Sequence, residues 1–211
     1  MTQIMDREIK CSICEKTSTQ SLLLSTNSMG FPDLDLRPAG MQRDTMFTWI
    51  QECPYCGYVA SRLDAEREVS REFLESDEYA TCDGFEFKGR LSEKFFKNYL
   101  IARQSDNVED CFSNLRNCAW DCDDRKDTQN ARNVRKLAIP YLDRLIERGG
   151  KSKDDLILIK VDLLRRSGEF SRLIEEYGDL AFGDELDMVI AFHIKKARDG
   201  DDKCYTVGDA L

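Results

Sequence analysis

Three observations predict a mainly α protein with a small β module at its N-terminus. Two Cys-x-x-Cys pairs lie in the first quarter of the chain, prolines concentrate around them, and helical periodicity sets in after them. Cys11 and Cys14 stand in KCSICEK, and Cys53 and Cys56 stand in ECPYCGYVA. Two such pairs on separate knuckles are the ligand set of a structural four-cysteine zinc site. Residues 1–60 therefore read as a four-cysteine zinc ribbon with a long inter-knuckle insertion. Residues 61–211 read as a helical domain of antiparallel hairpins.

In the first module, short apolar or aromatic segments flank each knuckle. Ile9, Ile13 and Leu22 to Leu24 surround the first, and Phe47, Trp49 and Ile50 precede the second. They read as short strands. Gly57 suits the position after the second cysteine, where φ > 0 is common, and Pro54 helps set the turn. Tetrahedral sulfur favours zinc, with iron the main competitor. Four protein ligands leave the metal no open position, so one structural zinc per chain is expected and a catalytic zinc is not. Pro32, Pro38 and Pro54, three of the four prolines, fall in this module. The 38 residues between Cys14 and Cys53 exceed a minimal ribbon loop and include the turn-rich SMGFPDLDLRPAG.

After Cys56, helical spacing appears at about 61–79, 91–104, 107–122, 127–148, 153–167, 169–180 and 184–199. Pro140 should kink or restart its helix, because it removes the bond to the Lys136 carbonyl. Gly149-Gly150 ends that helix, and Ser152 with Asp155 resembles a capping box. In DDLILIKVDLLRRSGEFSRLIEEYGDL one apolar-faced helix ends near Ser167. Gly168 turns, and Phe170, Leu173, Ile174 and Tyr177 form the apolar face of the next helix. A short Gly turn favours antiparallel packing. The segment looks like a tetratricopeptide hairpin, departing from it at Leu173 and Leu180, and no repeat of about 34 residues recurs.

Charge narrows the partners. The chain has 211 residues, 41% hydrophobic and 34% charged, with a formal net charge of -9. Residues 1–60 hold five Lys/Arg and seven Asp/Glu, and residues 61–211 hold 26 and 33. A four-thiolate zinc adds roughly two more negative charges. Neither half offers the cationic surface that phosphate backbones need. The opening MTQIMDREIK has no apolar signal core, no run approaches a membrane span, and the nine cysteines are odd in number. A reducing cytoplasm is the expected compartment.

Other constellations carry less. Asp33, Asp35 and Arg37 alternate, so they share a face if extended, and Arg43 and Asp44 follow. They form either a polar pocket for an anionic or peptidic ligand or a loop whose acids and arginines pair and cap the ribbon. The second is the expectation. Cys111, Cys118 and Cys122 share a helical stripe with Leu115. They read as core thiols rather than a second metal site or redox relay. Asp121, Asp123 and Asp124 read as a solvated helix terminus. His193 is the only histidine and has no nucleophile motif beside it. There is no P-loop, GxGxxG or GxSxG.

The KCSIC knuckle, STNSMGFPDLDLRP, WIQECPYCGYVA, the Ala-Trp-Asp-Cys-Asp-Asp run at 119–124 and DLLRRSGEF at 162–170 are spread over most of the chain. Together they resemble an uncharacterised, mainly bacterial domain-of-unknown-function family, with an N-terminal zinc ribbon and a tetratricopeptide-like C-terminal part. That family brings no activity with it. The resemblance implies that Cys11, Cys14, Cys53 and Cys56 are the metal ligands. It also implies that Asp33, Asp35, Arg37 and Pro38 form a family feature.

The function expected from these readings is a cytoplasmic zinc-binding adaptor, more a binding protein than an enzyme, that holds a protein or peptide partner on stacked helical hairpins. One alternative is a nucleic-acid-binding ribbon, which would need a local basic patch from Lys10, Arg37, Arg43 and Arg62. The other is an enzyme at the ribbon–helix junction, built on Asp33, Asp35, Arg37 and the Asp121–Asp124 cluster.

Overall fold

A computed structural model describes residues 1–149, 153–179 and 184–211. The chain is mainly helical, with small antiparallel sheets near its N-terminus. Strands β1 (Gln3–Lys10) and β2 (Thr17–Ser25) form one hairpin, and β5 (Gln51–Glu52) and β6 (Val59–Ala60) form another. Each hairpin carries a Cys-x-x-Cys knuckle at its tip. Between them, β3 (Ser28–Met29) pairs with β4 (Gly40–Met41) and closes off the inter-knuckle loop. The expected strand around Phe47 and Trp49 is instead a 3-10 turn over Arg43–Thr48. There the Trp49 indole N–H donates to the Thr45 hydroxyl at 3.1 Å.

The helical spacing at 61–79 yields only two single-turn helices, α1 (Arg71–Leu74) and α2 (Asp77–Ala80). Ser70 and Ser76 start them by accepting from the N–H groups of Phe73 and Tyr79. The preceding stretch stays non-helical because its backbone bonds to the N-terminal module. The Leu63 N–H donates to Gln51 at 2.9 Å, and its carbonyl accepts from Ser12 at 2.8 Å. Tertiary pairing overrides periodicity here.

From residue 90 onward the helices follow the spacing of the sequence: α3 (Arg90–Gln104), α4 (Val108–Asp124), α5 (Thr128–Arg148), α6 (Lys153–Arg166), α7 (Phe170–Tyr177) and α8 (Asp184–Arg198), then the short α9 (Val207–Ala210). Pro140 does not restart α5, which runs unbroken through it. Pro140 and Lys136 are both exposed, so water reaches the side of the helix where the bond is missing. Gly149 follows α5 with φ +70°. Gly150, Ser152 and Leu180 lie outside the described residues.

One turn recurs. Asn107 N–H donates to Ala102 O and Asp106 N–H to Arg103 O after α3. Asp127 to Cys122 and Lys126 to Asp123 repeat the pattern after α4, and Glu169 to Leu164 and Gly168 to Arg165 repeat it after α6. This is the Schellman arrangement, with the left-handed residue filled by Asp106 (φ 49°), Lys126 (φ 56°) and Gly168 (φ 81°). In each case the next residue begins the following helix, so the chain reverses within three residues.

Consecutive helices from α3 to α6 pack side by side, and α8 packs on α6 and α7. The apolar core is continuous. Cys11, Cys53, Tyr58 and Val59 of the N-terminal module belong to the same buried cluster as Phe96, Leu115 and Leu142 of the helices. The Tyr79 hydroxyl ties the two parts by donating to the Gly57 carbonyl at 2.8 Å. Among the described residues no helix is long and apolar enough to cross a membrane.

Candidate metal centre and buried polar junction

The two knuckles are built alike. Cys11 N–H donates to Lys16 O at 2.9 Å and Glu15 N–H to Cys11 O at 2.9 Å; Cys53 N–H donates to Tyr58 O at 2.8 Å and Gly57 N–H to Cys53 O at 3.0 Å. Glu15 (φ 61°) and Gly57 (φ 70°) take the left-handed conformation that turns each chain back after its second cysteine. These turns bring all four Sγ atoms within 4.8 Å of one another. Cys11 Sγ lies 3.8 Å from Cys56 Sγ, and Cys14 Sγ lies 3.5 Å from Cys53 Sγ. A tetrahedron of sulfurs at about 2.3 Å from its centre has edges of about 3.8 Å. The four cysteines thus sit together in a site that can hold a metal ion, and among the described residues no other group of His, Cys, Asp and Glu does so.

Cys11 and Cys53 are buried, while Cys14 and Cys56 reach the surface in part. Burial pushes the Cys53 and Cys56 thiols up. Cys14 is pulled down, because hydrogen bonding from the Lys16 backbone and the neighbouring thiols outweighs its desolvation. An incoming cation must therefore displace protons, and occupancy rises with pH.

A second assembly joins the inter-knuckle loop to the helices. The loop is not extended at 33–37. Asp33 N–H donates to Arg37 O at 2.9 Å and Leu36 N–H to Asp33 O at 2.8 Å, with Leu36 left-handed at φ 62°. This tight turn buries Asp33, Leu34, Asp35 and Arg37, the last at 0% exposure. One Asp35 oxygen accepts from the Trp120 indole N–H at 2.7 Å and from Arg166 Nη1 at 3.2 Å. Arg37 and Arg43 both reach Asp124, Arg43 at 2.7 Å. Arg43 also lies 3.8 Å from Asp33. The acids and arginines of the loop pair mainly with helical groups rather than capping the ribbon. Burial pushes the Asp33 carboxyl up and the Arg37 guanidinium down.

The Asp121–Asp124 run is solvated mainly at Asp124, which is exposed, and not along its length. Asp121 is buried and accepts from the Ser92 N–H at 2.9 Å and from Arg125 Nε at 2.9 Å. Asp123 accepts from Arg135 and Arg166, whose charges hold its carboxyl below the usual range despite burial. Deeper still, Arg165 donates to His193 Nδ1 at 3.0 Å and to Asp162 at 2.8 Å, with all three side chains buried. Burial and the Arg165 charge push the His193 imidazole down to about 3. Cys111, Cys118 and Cys122 are each 0% exposed within the core.

The C-terminal segment completes the junction. Leu34 N–H donates to Tyr205 O and Val207 N–H to Pro32 O, both at 2.9 Å, and Asp33 pairs with Thr206 as a short antiparallel bridge. Arg165, Arg166 and Asp162 were absent from the sequence-level site. Their signal was three charges inside the otherwise apolar DLLRR of α6.

The four residues of the possible basic patch are all engaged. Lys10 pairs with Glu15, Arg62 with Asp64, and Arg37 and Arg43 with Asp124. No family model, curated protein or solved structure matches the chain.

Proposed function

We propose that this chain is a zinc-stabilised adaptor. Cys11, Cys14, Cys53 and Cys56 hold one structural zinc, and the protein acts by binding a protein or peptide partner rather than by catalysis. The four-thiol cluster carries this reading: its sulfur spacing suits tetrahedral zinc, and four protein ligands leave no position for substrate. The buried polar junction supports it, since Asp35, Asp121 and Asp123 already serve arginines, a tryptophan or backbone donors rather than standing free for acid–base work. Exposed apolar side chains on the N-terminal module, including Ile4, Met5, Leu24 and Phe31, fit a partner-binding role. The α6–α7 hairpin is read as tetratricopeptide-like, supported by the recurrent three-residue turn. Nine free thiols fit a reducing cytoplasm.

The test is metal analysis and affinity capture with the intact chain. One zinc per chain is expected, lost in Cys53→Ala. Chelation should disorder the knuckles while far-UV circular dichroism keeps most of its helical signal. A zinc-dependent partner that the Ile4→Asp/Leu24→Asp variant no longer binds would support the adaptor. Full zinc occupancy in Cys53→Ala would overturn the ligand set. Failure to recover any zinc-dependent partner would overturn the adaptor.

A further inference from the structure

The hairpin of β1 and β2 has an open outer edge. The Cys11 N–H bonds to Lys16 O, which makes that pair a hydrogen-bonded one in the register that β1 and β2 continue. Bonded and non-bonded pairs alternate along an antiparallel ladder. Ile9, Arg7 and Met5 therefore turn their backbone groups to β2, whereas Lys10, Glu8, Asp6 and Ile4 turn theirs outward. Among the described residues no other backbone group meets these outward N–H and C=O groups. Along β1 only Ile9 is partly covered, and the other residues are exposed. β2 is turned towards the second knuckle hairpin instead, where Gln20 Nε2 donates to the Glu52 carbonyl at 3.0 Å.

The two faces beside the open edge differ. Asp6 and Glu8 share one face, where they accept from the Ser21 hydroxyl at 2.7 Å and the Thr19 hydroxyl at 2.5 Å. Neither carboxylate pairs with a cation among the described residues. Arg7, Ile9 and Leu22 share the other face. With Leu24, Gln51 and Ser61 they line a cavity of about 360 Å³. In a strand laid along β1, residues directly opposite one another share a face. Those opposite Asp6 and Glu8 would meet unpaired carboxylates, and those between them would point to the cavity side.

A second copy of β1 fits this edge badly. Antiparallel pairing about a twofold axis sets Asp6 opposite Asp6 in one central register. In the next register it sets Asp6 opposite Glu8 and Arg7 opposite Arg7. Like charges directly opposite are destabilising.

We propose that the β1 edge takes an extended peptide strand of a protein partner, one in which lysine or arginine alternates with apolar residues. Backbone bonds to Ile4, Asp6, Glu8 and Lys10 hold the strand. Its cations face Asp6 and Glu8, and its apolar side chains lie on the cavity side, where they set specificity. The proposal rests on the adaptor reading and names the segment that the adaptor takes.

The test is fluorescence anisotropy of a labelled peptide, Gly-Val-Lys-Val-Lys-Val-Gly with both ends blocked, against the full zinc-loaded chain at low ionic strength. Saturable binding of one peptide per chain is expected, about tenfold tighter than for the same peptide with glutamate in place of lysine. Asp6→Lys/Glu8→Lys should reverse that preference. Glu8→Pro removes one outward N–H and spares the bonds to β2, so it should weaken binding about tenfold with unchanged zinc content and circular dichroism. Methylating one alternate set of peptide amide nitrogens should abolish binding, and methylating the other set should leave it. No saturable binding up to about 1 mM, an unreversed charge preference, or full binding by Glu8→Pro would overturn the proposal. So would a dimer in sedimentation that Glu8→Pro abolishes, because the occupant would then be a second copy. A zinc-dependent partner captured equally by the wild type and Glu8→Pro would overturn this site and leave the adaptor reading standing.

Discussion

Asp35→Ala should destabilise the protein by about 4 kcal/mol, from two losses that the geometry separates. Asp35 is 1% exposed, and the oxygen that accepts from the Trp120 indole at 2.7 Å also accepts from Arg166 at 3.2 Å. Truncation strands a buried indole N–H, at about 1–3 kcal/mol. It also removes one partner of a buried ion pair, a change that costs about 3–5 kcal/mol when nothing replaces the partner. Arg166 keeps Asp123 at 2.6 Å, which places the sum at the lower end. Asp35→Asn retains an acceptor for the indole and loses the charge, so about half the effect is expected. Urea unfolding followed by tryptophan fluorescence measures both. In the double variant Asp35→Ala/Arg166→Met the losses should fall short of additivity by about 1.5–3 kcal/mol, because removing both partners leaves no bare buried charge. An Asp35→Ala protein within about 1 kcal/mol of the wild type, or strict additivity, would refute the reading of 33–37 as a buried structural plug.

Two further predictions follow from the core and the turns. His193 is held at about 3 by burial and Arg165. Its folded value lies below the unfolded one near 6.5, so the unfolded chain takes the proton first and stability falls as pH drops from about 6.5 towards 3. Between about pH 7 and 5.5 the wild type should lose about 1 kcal/mol more than His193→Gln; equal urea midpoints shifts in the two proteins would exclude this account. Gly168→Ala should cost about 1 kcal/mol by thermal unfolding although nothing lies within 4 Å of the added methyl, because the cost is the left-handed backbone at φ +81°. A neutral substitution would mean that this turn relaxes.

What the sequence revealed depended on how locally each feature is encoded. The knuckles were legible because four residues of chain hold two ligands, and the long helices from 91 onward because their apolar faces repeat every turn. The 61–79 segment was misread because its backbone bonds to Gln51 and Ser12, which no local pattern records. The turn repeat was hidden because Asp106 and Lys126 stand where Gly168 stands, so a shared backbone conformation carries no shared residue. The polar junction was half visible. FPDLDLRP, the Asp run and DLLRRSGEF each stand out in the sequence, but no local pattern pairs Arg166 of α6 or Arg135 of α5 with those acids. Arg166 meets Asp35 across 131 positions of sequence.

The bridge between Asp33 and Thr206 has a consequence for synthesis on the ribosome. The knuckles can close as soon as Cys56 has emerged, and the hairpins of α3 to α6 can pack in order of appearance. The 32–37 turn cannot finish docking until Tyr205 and Val207 have left the exit tunnel, because their backbone groups are its partners. The N-terminal module therefore waits for residues 205–207 to be translated, and a nascent chain arrested before them carries Asp35 and Arg37 with incomplete cover. Its maturation is timed by the emergence of that distant segment rather than by metal loading alone.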